Sequence, residues 1–190
     1  MTSLSPIQAP EHVLQLLSRL HKTSLEQEAS ISASSDKVMS SIVLGDIEDK
    51  LGGGDAGAEF DALMSDKFIA LDEDKCHFMY SLVNATGATN IVEAGTSFGV
   101  STIYLALAIA QTKSATGKAG RIISTEKEPR KAEVARNYWT QCGEMVEKQI
   151  ELRVGDLLET LKQDLPEVDL LLLDSKSDDL SSTPNKPSLV

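Results

Sequence analysis

The stretch Asn90-Ile91-Val92-Glu93-Ala94-Gly95-Thr96-Ser97-Phe98-Gly99-Val100-Ser101-Thr102 constrains this chain more than any other. Ile91 and Val92 suit a buried strand, and Glu93 stands near its end. Gly95 and Gly99 bracket a tight turn, and Val100 opens an apolar run of helical length. A strand that passes through a glycine turn into a helix is the front half of a βαβ unit, so it requires a parallel neighbour. The same turn gathers a carboxylate, hydroxyls and the first N–H groups of a helix at one spot, where a small polar ligand binds well.

The pattern then repeats. Strand character is expected over Asn90–Ala94, Arg121–Glu126, Ile150–Val154 and Val168–Asp174, with helices over Val100–Thr112, Pro129–Cys142 and Asp156–Asp164. Lys113–Gly120 reads as a loop. Pro129 fits a first helical turn, and Gly143 fits a helix stop. This order predicts an α/β, Rossmann-like parallel sheet with helices on its faces. The expected strand order is 3-2-1-4, with the glycine turn at the crevice between the first and fourth strands. The consecutive leucines of the last strand suit a central parallel position.

Upstream, Val13, Leu16, Leu17 and Leu20 follow helical spacing behind Pro10, so a helix is expected over Pro10–Ala29. The Ser, Gly and Asp content of 30–57 reads as a mobile linker with one short helix near Val38–Leu44. Helical character resumes over Ala58–Leu71, and a further helix over Asp72–Thr86 has Asp72 as N-cap and Gly87 as stop. The chain thus divides into an N-terminal helical segment (1–71), a partial Rossmann-like domain (72–174) and a disordered tail (175–190) poor in apolar residues.

A formal net charge of -11 argues against non-specific binding to nucleic acid or to anionic membranes. No apolar run has the length of a membrane span, and no leader pattern opens the chain. The two cysteines, Cys76 and Cys142, fall in predicted helices without metal-ligand spacing and read as small buried hydrophobes. A cytoplasmic protein is the expectation.

Four acids, Glu93, Glu126, Asp156 and Asp174, close four successive predicted strands. Ligands of an open parallel sheet bind outside the carboxyl ends of its strands. Four acids on that edge suit a ligand with positive charge, ribose hydroxyls and an amino-bearing base. Each acid also has a plainer reading. Glu93 can be the exposed acid of a tight turn, Glu126 a solvated strand end, and Asp156 a helix cap. Glu128 suits helix capping better than Glu126 does.

These residues resemble a family. Glu93-Ala-Gly95-Thr96-Ser97-Phe-Gly99-Val-Ser101 is similar to the first motif of class I S-adenosylmethionine-dependent methyltransferases. Arg121–Trp139 resembles their second motif. Val154-Gly-Asp156-Leu-Leu-Glu-Thr-Leu161 resembles a segment of the small-molecule O-methyltransferases that include the caffeoyl-CoA and catechol enzymes. The resemblance covers about Asp72 to Asp174. It implies that Glu93, Gly95, Thr96, Ser97, Gly99 and Ser101 hold the methionine part of S-adenosyl-L-methionine. Glu126 would then hold its ribose and Asp156 its adenine end. Asp174 would complete the cofactor edge, and Asp174-Ser-Lys176 is similar to the segment that supplies a divalent-metal (Mg) ligand in metal-dependent members. The acceptor would be a small-molecule hydroxyl, and the N-terminal helices would form a substrate lid or a homodimer contact.

The chain also departs from the family pattern. The implied fold has seven strands, and Ser175–Val190 supplies no further strand, so a truncated form is expected, with little turnover of its own. No Asp-Asn pair follows Asp174, which leaves an octahedral oxygen site short of ligands. None of His12, His21 and His77 lies in a motif, and no catalytic base can be named. A non-catalytic cofactor-binding fragment, or a partner of a full-length copy, is the alternative. An NAD(P)-dependent oxidoreductase fits less well: G-x-G-x-x-G is missing, and no acid follows the turn by about 20 residues.

Overall fold

The computed structural model describes residues 5–43, 67–162 and 164–174. In chain order these form α1 (Glu11–Val43), α2 (Glu73–Thr86), β1 (Asn90–Ala94), α3 (Val100–Thr116), β2 (Arg121–Glu126), α4 (Pro129–Cys142), α5 (Glu144–Glu147), β3 (Ile150–Val154), α6 (Leu157–Thr160) and β4 (Leu170–Leu173).

The four strands form one parallel sheet in the order β3-β2-β1-β4, as the alternation predicts. β1 pairs with β2 in the register Ile91↔Ile122 and with β4 in the register Ile91↔Leu170. Asp169 fastens the start of β4 to β1. Its Oδ2 accepts from the Thr89 and Asn90 amides, each at 2.9 Å, and from the Thr89 hydroxyl at 3.1 Å. Those bonds hold the Asp169 carboxyl below its ordinary pKa.

The core sits around α3, whose Val100–Ile109 face is buried nearly all round. β1 and β2 are buried beyond their first residues, as strands flanked on both sides should be. Val13, Leu16, Leu17 and Leu20 of α1 join the same core, which is the side that the helical spacing selects. Cys76 and Cys142 are buried thiols whose pKa values burial pushes up to about 12 and about 11, so both stay protonated. No described helix is long and apolar enough to cross a membrane.

Several boundaries differ from the sequence expectation. α1 does not stop at Ala29 but runs to Val43, so the first part of the expected linker is helical. Serine is a tolerable helix former, and no glycine or proline interrupts the chain until Gly45. The rest of the linker, most of Ala58–Leu71 and the tail 175–190 lie outside the described residues. Residues 67–71 are not helical. α3 consumes half of the expected loop and ends at Gly117. Asp156–Asp164 yields only a single turn, α6, and α5 was not expected at all.

β4 is shorter than Val168–Asp174 and is not a central strand among the described residues. It pairs with β1 alone, and Leu171 and Leu173 are 54% and 55% exposed while Leu170 and Leu172 are half-buried. A leucine run shows no alternation in sequence, so only the fold reveals which pair faces the core.

Candidate functional site

The turn between β1 and α3 is built on Glu93. Its side chain is fully buried and its carboxylate accepts four hydroxyl hydrogen bonds. Ser101 and Thr102 donate at 2.6 Å, Ser124 at 2.9 Å and Thr96 at 3.2 Å. Burial pushes the Glu93 pKa up, and the four hydroxyls pull against that. The expectation of a Glu93 carboxylate offered to a ligand is therefore corrected. A strand alternates its side chains between two faces, and Glu93 lies on the face covered by α3. It braces the turn from below and ties α3 to β2.

Glu126 braces the turn from the side. It is 8% exposed. Its Oε2 accepts from the Ser97 amide at 2.7 Å and its Oε1 from the Glu128 amide at 2.8 Å. Each carboxylate oxygen retains capacity for a second donor. The first bond holds Ser97 at φ +49°, an uncommon conformation for a side-chain-bearing residue. The Gly95 and Thr96 amides both donate to the Thr125 carbonyl, at 3.2 and 2.9 Å, with Gly95 at φ +95°. Glu128 occupies the N-cap position of α4 without capping it. Its carboxylate instead pairs with Lys131 at 2.6 Å.

Gly99 meets a steric limit. At φ +75° it lies under Trp139, and a Cβ there would sit 2.6 Å from Trp139 Nε1. That indole N–H donates to the Gly99 carbonyl at 3.0 Å, so α4 also supports the turn.

Thr96, Ser97, Ser101 and Asp174 line one small pocket at the carboxyl edge of the sheet, together with Phe98 and Val100. It lies beside the β1–β4 junction, where the strand order reverses, which is where such sheets bind ligands. Ile69, Ala70 and Leu71 close its other side. Sequence reasoning missed these three, and a short apolar run between a polar stretch and a helix is their only signal. It also missed Thr102, Ser124 and Trp139. Ser124 could have been found as a polar residue inside an apolar strand, which demands a buried partner.

Asp174 stands at the pocket margin. Partial burial pushes its pKa up, while the Lys75 ammonium of α2 pulls it down. Lys75 is paired with Asp72 at 2.6 Å, so Asp72 precedes α2 without a side-chain cap bond. Among the described residues no three His, Cys, Asp or Glu side chains converge to hold a metal ion. Asp156 is not part of this pocket. It caps α6, accepting from the Leu158 amide at 2.8 Å. His77 lies beside Tyr104 with ring centroids 5.8 Å apart, and His21 Nε2 is 2.9 Å from the Tyr104 hydroxyl, so both belong to helix packing.

A 3-2-1-4 parallel sheet with a braced glycine turn at its switch point defines a Rossmann-like α/β protein of the methyltransferase type. A family model described as O-methyltransferase matches residues 59–183, and the chain belongs to the O-methyltransferase family. It is 36% identical over 93 residues to a catechol O-methyltransferase of Mycobacterium tuberculosis, covering 49% of this chain and 38% of the relative. It is 32% identical over 95 residues to a catechol O-methyltransferase of Niastella koreensis, covering 50% and 39%. Among solved structures it is similar to the O-methyltransferase TomG of Streptomyces achromogenes in complex with SAM. The TM-score is 0.51 at 26% identity, over 68% of this chain and 58% of that one. A Bacillus cereus O-methyltransferase in complex with SAH shares the fold, with a TM-score of 0.51 at 24% identity over 68% and 58%. The chain spans about two fifths of the length of the two catechol O-methyltransferases it matches.

Proposed function

We propose that the crevice beside the Gly95–Gly99 turn takes S-adenosyl-L-methionine, and that the protein serves methyl transfer to the hydroxyl of a small, catechol-like acceptor. The observation that carries this is the turn itself, braced by Glu93 below, Glu126 at the side and Trp139 above, at the switch point of the sheet. Family membership and the names of the similar proteins support the same reading.

The donor set fits such a cofactor. The first-turn N–H groups of α3, which lack partners within a helix, face the side where an amino-acid carboxylate belongs. Glu126 keeps a lone pair on each oxygen for ribose hydroxyls. Glu93 acts as a positioning residue, because its carboxylate is spent on four hydroxyls. Asp156, at the end of β3, keeps one oxygen for an adenine amino group. Asp174 lines the same pocket as the turn, at the cofactor edge. When bound, the cofactor supplies an electrophilic methyl group on a sulfonium, and the fold contributes chiefly position and electrostatics.

A second reading is a non-catalytic cofactor-binding protein. It keeps the cofactor site and leaves out the methyl transfer. A cytoplasmic location and a homodimer contact through the N-terminal helices belong to the same proposal, and sedimentation measures the latter.

Calorimetry with S-adenosylmethionine, S-adenosylhomocysteine and NAD tests the site. Heat from the first two and silence from NAD are expected, and the reverse would sink the reading. Turnover of catechol-like acceptors, with and without magnesium, then separates enzyme from binding protein.

A further inference from the structure

Asp156, the acid that the cofactor reading sets against the adenine, is not held by packing. It opens α6, a helix of four residues none of which is buried, and a helix that short has no stability of its own in water. The turn is bonded to itself. The Asp156 carbonyl accepts from the Glu159 and Thr160 amides at 3.1 and 2.9 Å, and the Asp156 carboxylate accepts from the Leu158 amide at 2.8 Å.

Arg153 fastens this turn to the sheet. Ile150 and Leu152 of β3 pack against the core, so Glu151 and Arg153 project from the opposite face of the strand. The Arg153 side chain is only 15% exposed. Its Nη1–H donates at 2.8 Å to the carbonyl of Thr160, the last residue of α6. Carbonyls at the end of a helix lack partners within it, and Arg153 supplies one. Its Nη2–H reaches the Asp164 carbonyl at 3.4 Å. Glu151 holds the guanidinium from the strand, with Oε1 accepting from Nε at 2.8 Å and lying 2.7 Å from Nη2. The other oxygen of Glu151 pairs with Arg121 of β2 at 2.8 Å.

We propose that Arg153 is a positioning residue for the adenine end of the cofactor site and thereby sets a preference for a purine that carries an amino group. The inference rests on the cofactor reading above. Arg153 binds the Thr160 carbonyl, and the Thr160 amide binds the Asp156 carbonyl, so the second carboxylate oxygen of Asp156 is held at the carboxyl edge of β3. An acceptor fixed before the ligand arrives loses little freedom on binding, and its bond to an amino group counts nearly in full. Arginine suits this task because its planar fork presents several N–H groups in fixed directions, which a lysine ammonium does not.

Calorimetry on the full chain compares S-adenosylhomocysteine with its analogue that carries hydrogen in place of the adenine amino group. The parent is expected to prefer the amino form roughly tenfold or more, the scale of a hydrogen bond to a charged acceptor. Arg153→Gln is expected to lose that preference by weakening the amino form alone. In amide hydrogen exchange its 157–161 segment should exchange faster while β2 keeps its protection. Arg121→Gln removes the other partner of Glu151 without touching Thr160, so it should keep the preference. A parent without the preference, or an Arg153→Gln chain that retains it even with both ligands weakened, overturns the positioning role and leaves the cofactor site standing. Loss of the preference in Arg121→Gln overturns that role as well, because disturbing Glu151 would then be enough. Binding of neither ligand to the parent overturns the cofactor reading and this proposal with it. Should Arg153→Gln fail to fold, Arg153→Lys keeps the charge beside Glu151, gives up the fork and carries the same expectation.

Discussion

Replacing Glu93 separates what its charge contributes from what its hydrogen bonds contribute. Glu93→Ala removes one buried methylene, at about 0.8 kcal/mol, and leaves the space of the carboxyl group empty. It also strips the acceptor from Thr96, Ser101, Thr102 and Ser124. Some of these hydroxyls can rotate to backbone carbonyls, but one left unsatisfied costs about 1–3 kcal/mol. The expected loss is roughly 3–5 kcal/mol, at the upper end for a single substitution. Glu93→Gln behaves differently. Its carbonyl can take the place of Oε2 and keep Thr96, Thr102 and Ser124. Its amide then donates to Ser101, which turns from donor to acceptor.

The sign of the charge effect follows from burial. The folded pKa of Glu93 lies above its ordinary 4.5, so the folded chain holds that proton more tightly than the unfolded chain does. The stability this group confers is full below pH 4.5 and declines as pH rises through the folded value. Glutamine has no such decline. Glu93→Gln should therefore stay within about 1 kcal/mol of the parent at neutral pH, and should gain on it as pH rises from 4.5. Urea denaturation followed by Trp139 fluorescence measures both variants. Equal, large losses for alanine and glutamine would refute the reasoning, because the turn would then depend on the charge. A loss below about 1 kcal/mol for alanine would show that the hydroxyl network does not hold the turn.

Three further outcomes are expected. Gly99→Ala forces a methyl to 2.6 Å from Trp139 at φ +75°, which should cost roughly 2–4 kcal/mol in urea melts; a neutral result would mean that Trp139 does not pack there. Glu126→Ala frees the Ser97 amide, and Gly95→Val blocks backbone approach; each should weaken S-adenosylmethionine binding at least about tenfold, the scale of one charge-assisted bond, whereas unchanged affinity in both would remove the site. His21 has its pKa lowered by burial, with Glu73 opposing, so its contribution to stability is full above pH 6.5 and is lost as pH falls toward the folded value. A His21→Gln chain should melt with a flatter pH profile below 6.5, and a parallel profile would discount the histidine.

Much of the fold is legible in the sequence. β1, β2 and β3 stand where alternation, β-branched residues and bounding glycines put them, and the strand order follows from the right-handed crossover rule. Gly87 and Gly143 end their helices as read. What misled was composition taken as punctuation. Serine-rich 30–43 looks like a linker, yet serine only lowers helix propensity slightly, and nothing there breaks the helix. The lysine- and threonine-bearing end of α3 misled in the same way.

The site was half legible. The sequence by itself determined that a glycine turn must join β1 to α3, that Glu93 and Glu126 must end neighbouring strands, and that Asp174 must close the next. These follow from local geometry, since turn chemistry and strand period act over a few residues. Only the tertiary structure decided where each carboxylate points. Glu93 turns inward to four hydroxyls drawn from the turn, α3 and β2, Glu126 turns to the Ser97 amide, and Asp156 turns to its own helix. Only packing could bring Ile69, Ala70 and Leu71 to the pocket and bond the Phe68 and Ala70 amides to Gln27 and Ser24. Such contacts join residues far apart in the chain, and a hydrogen-bonding side chain carries no mark in sequence of which distant partner it will meet.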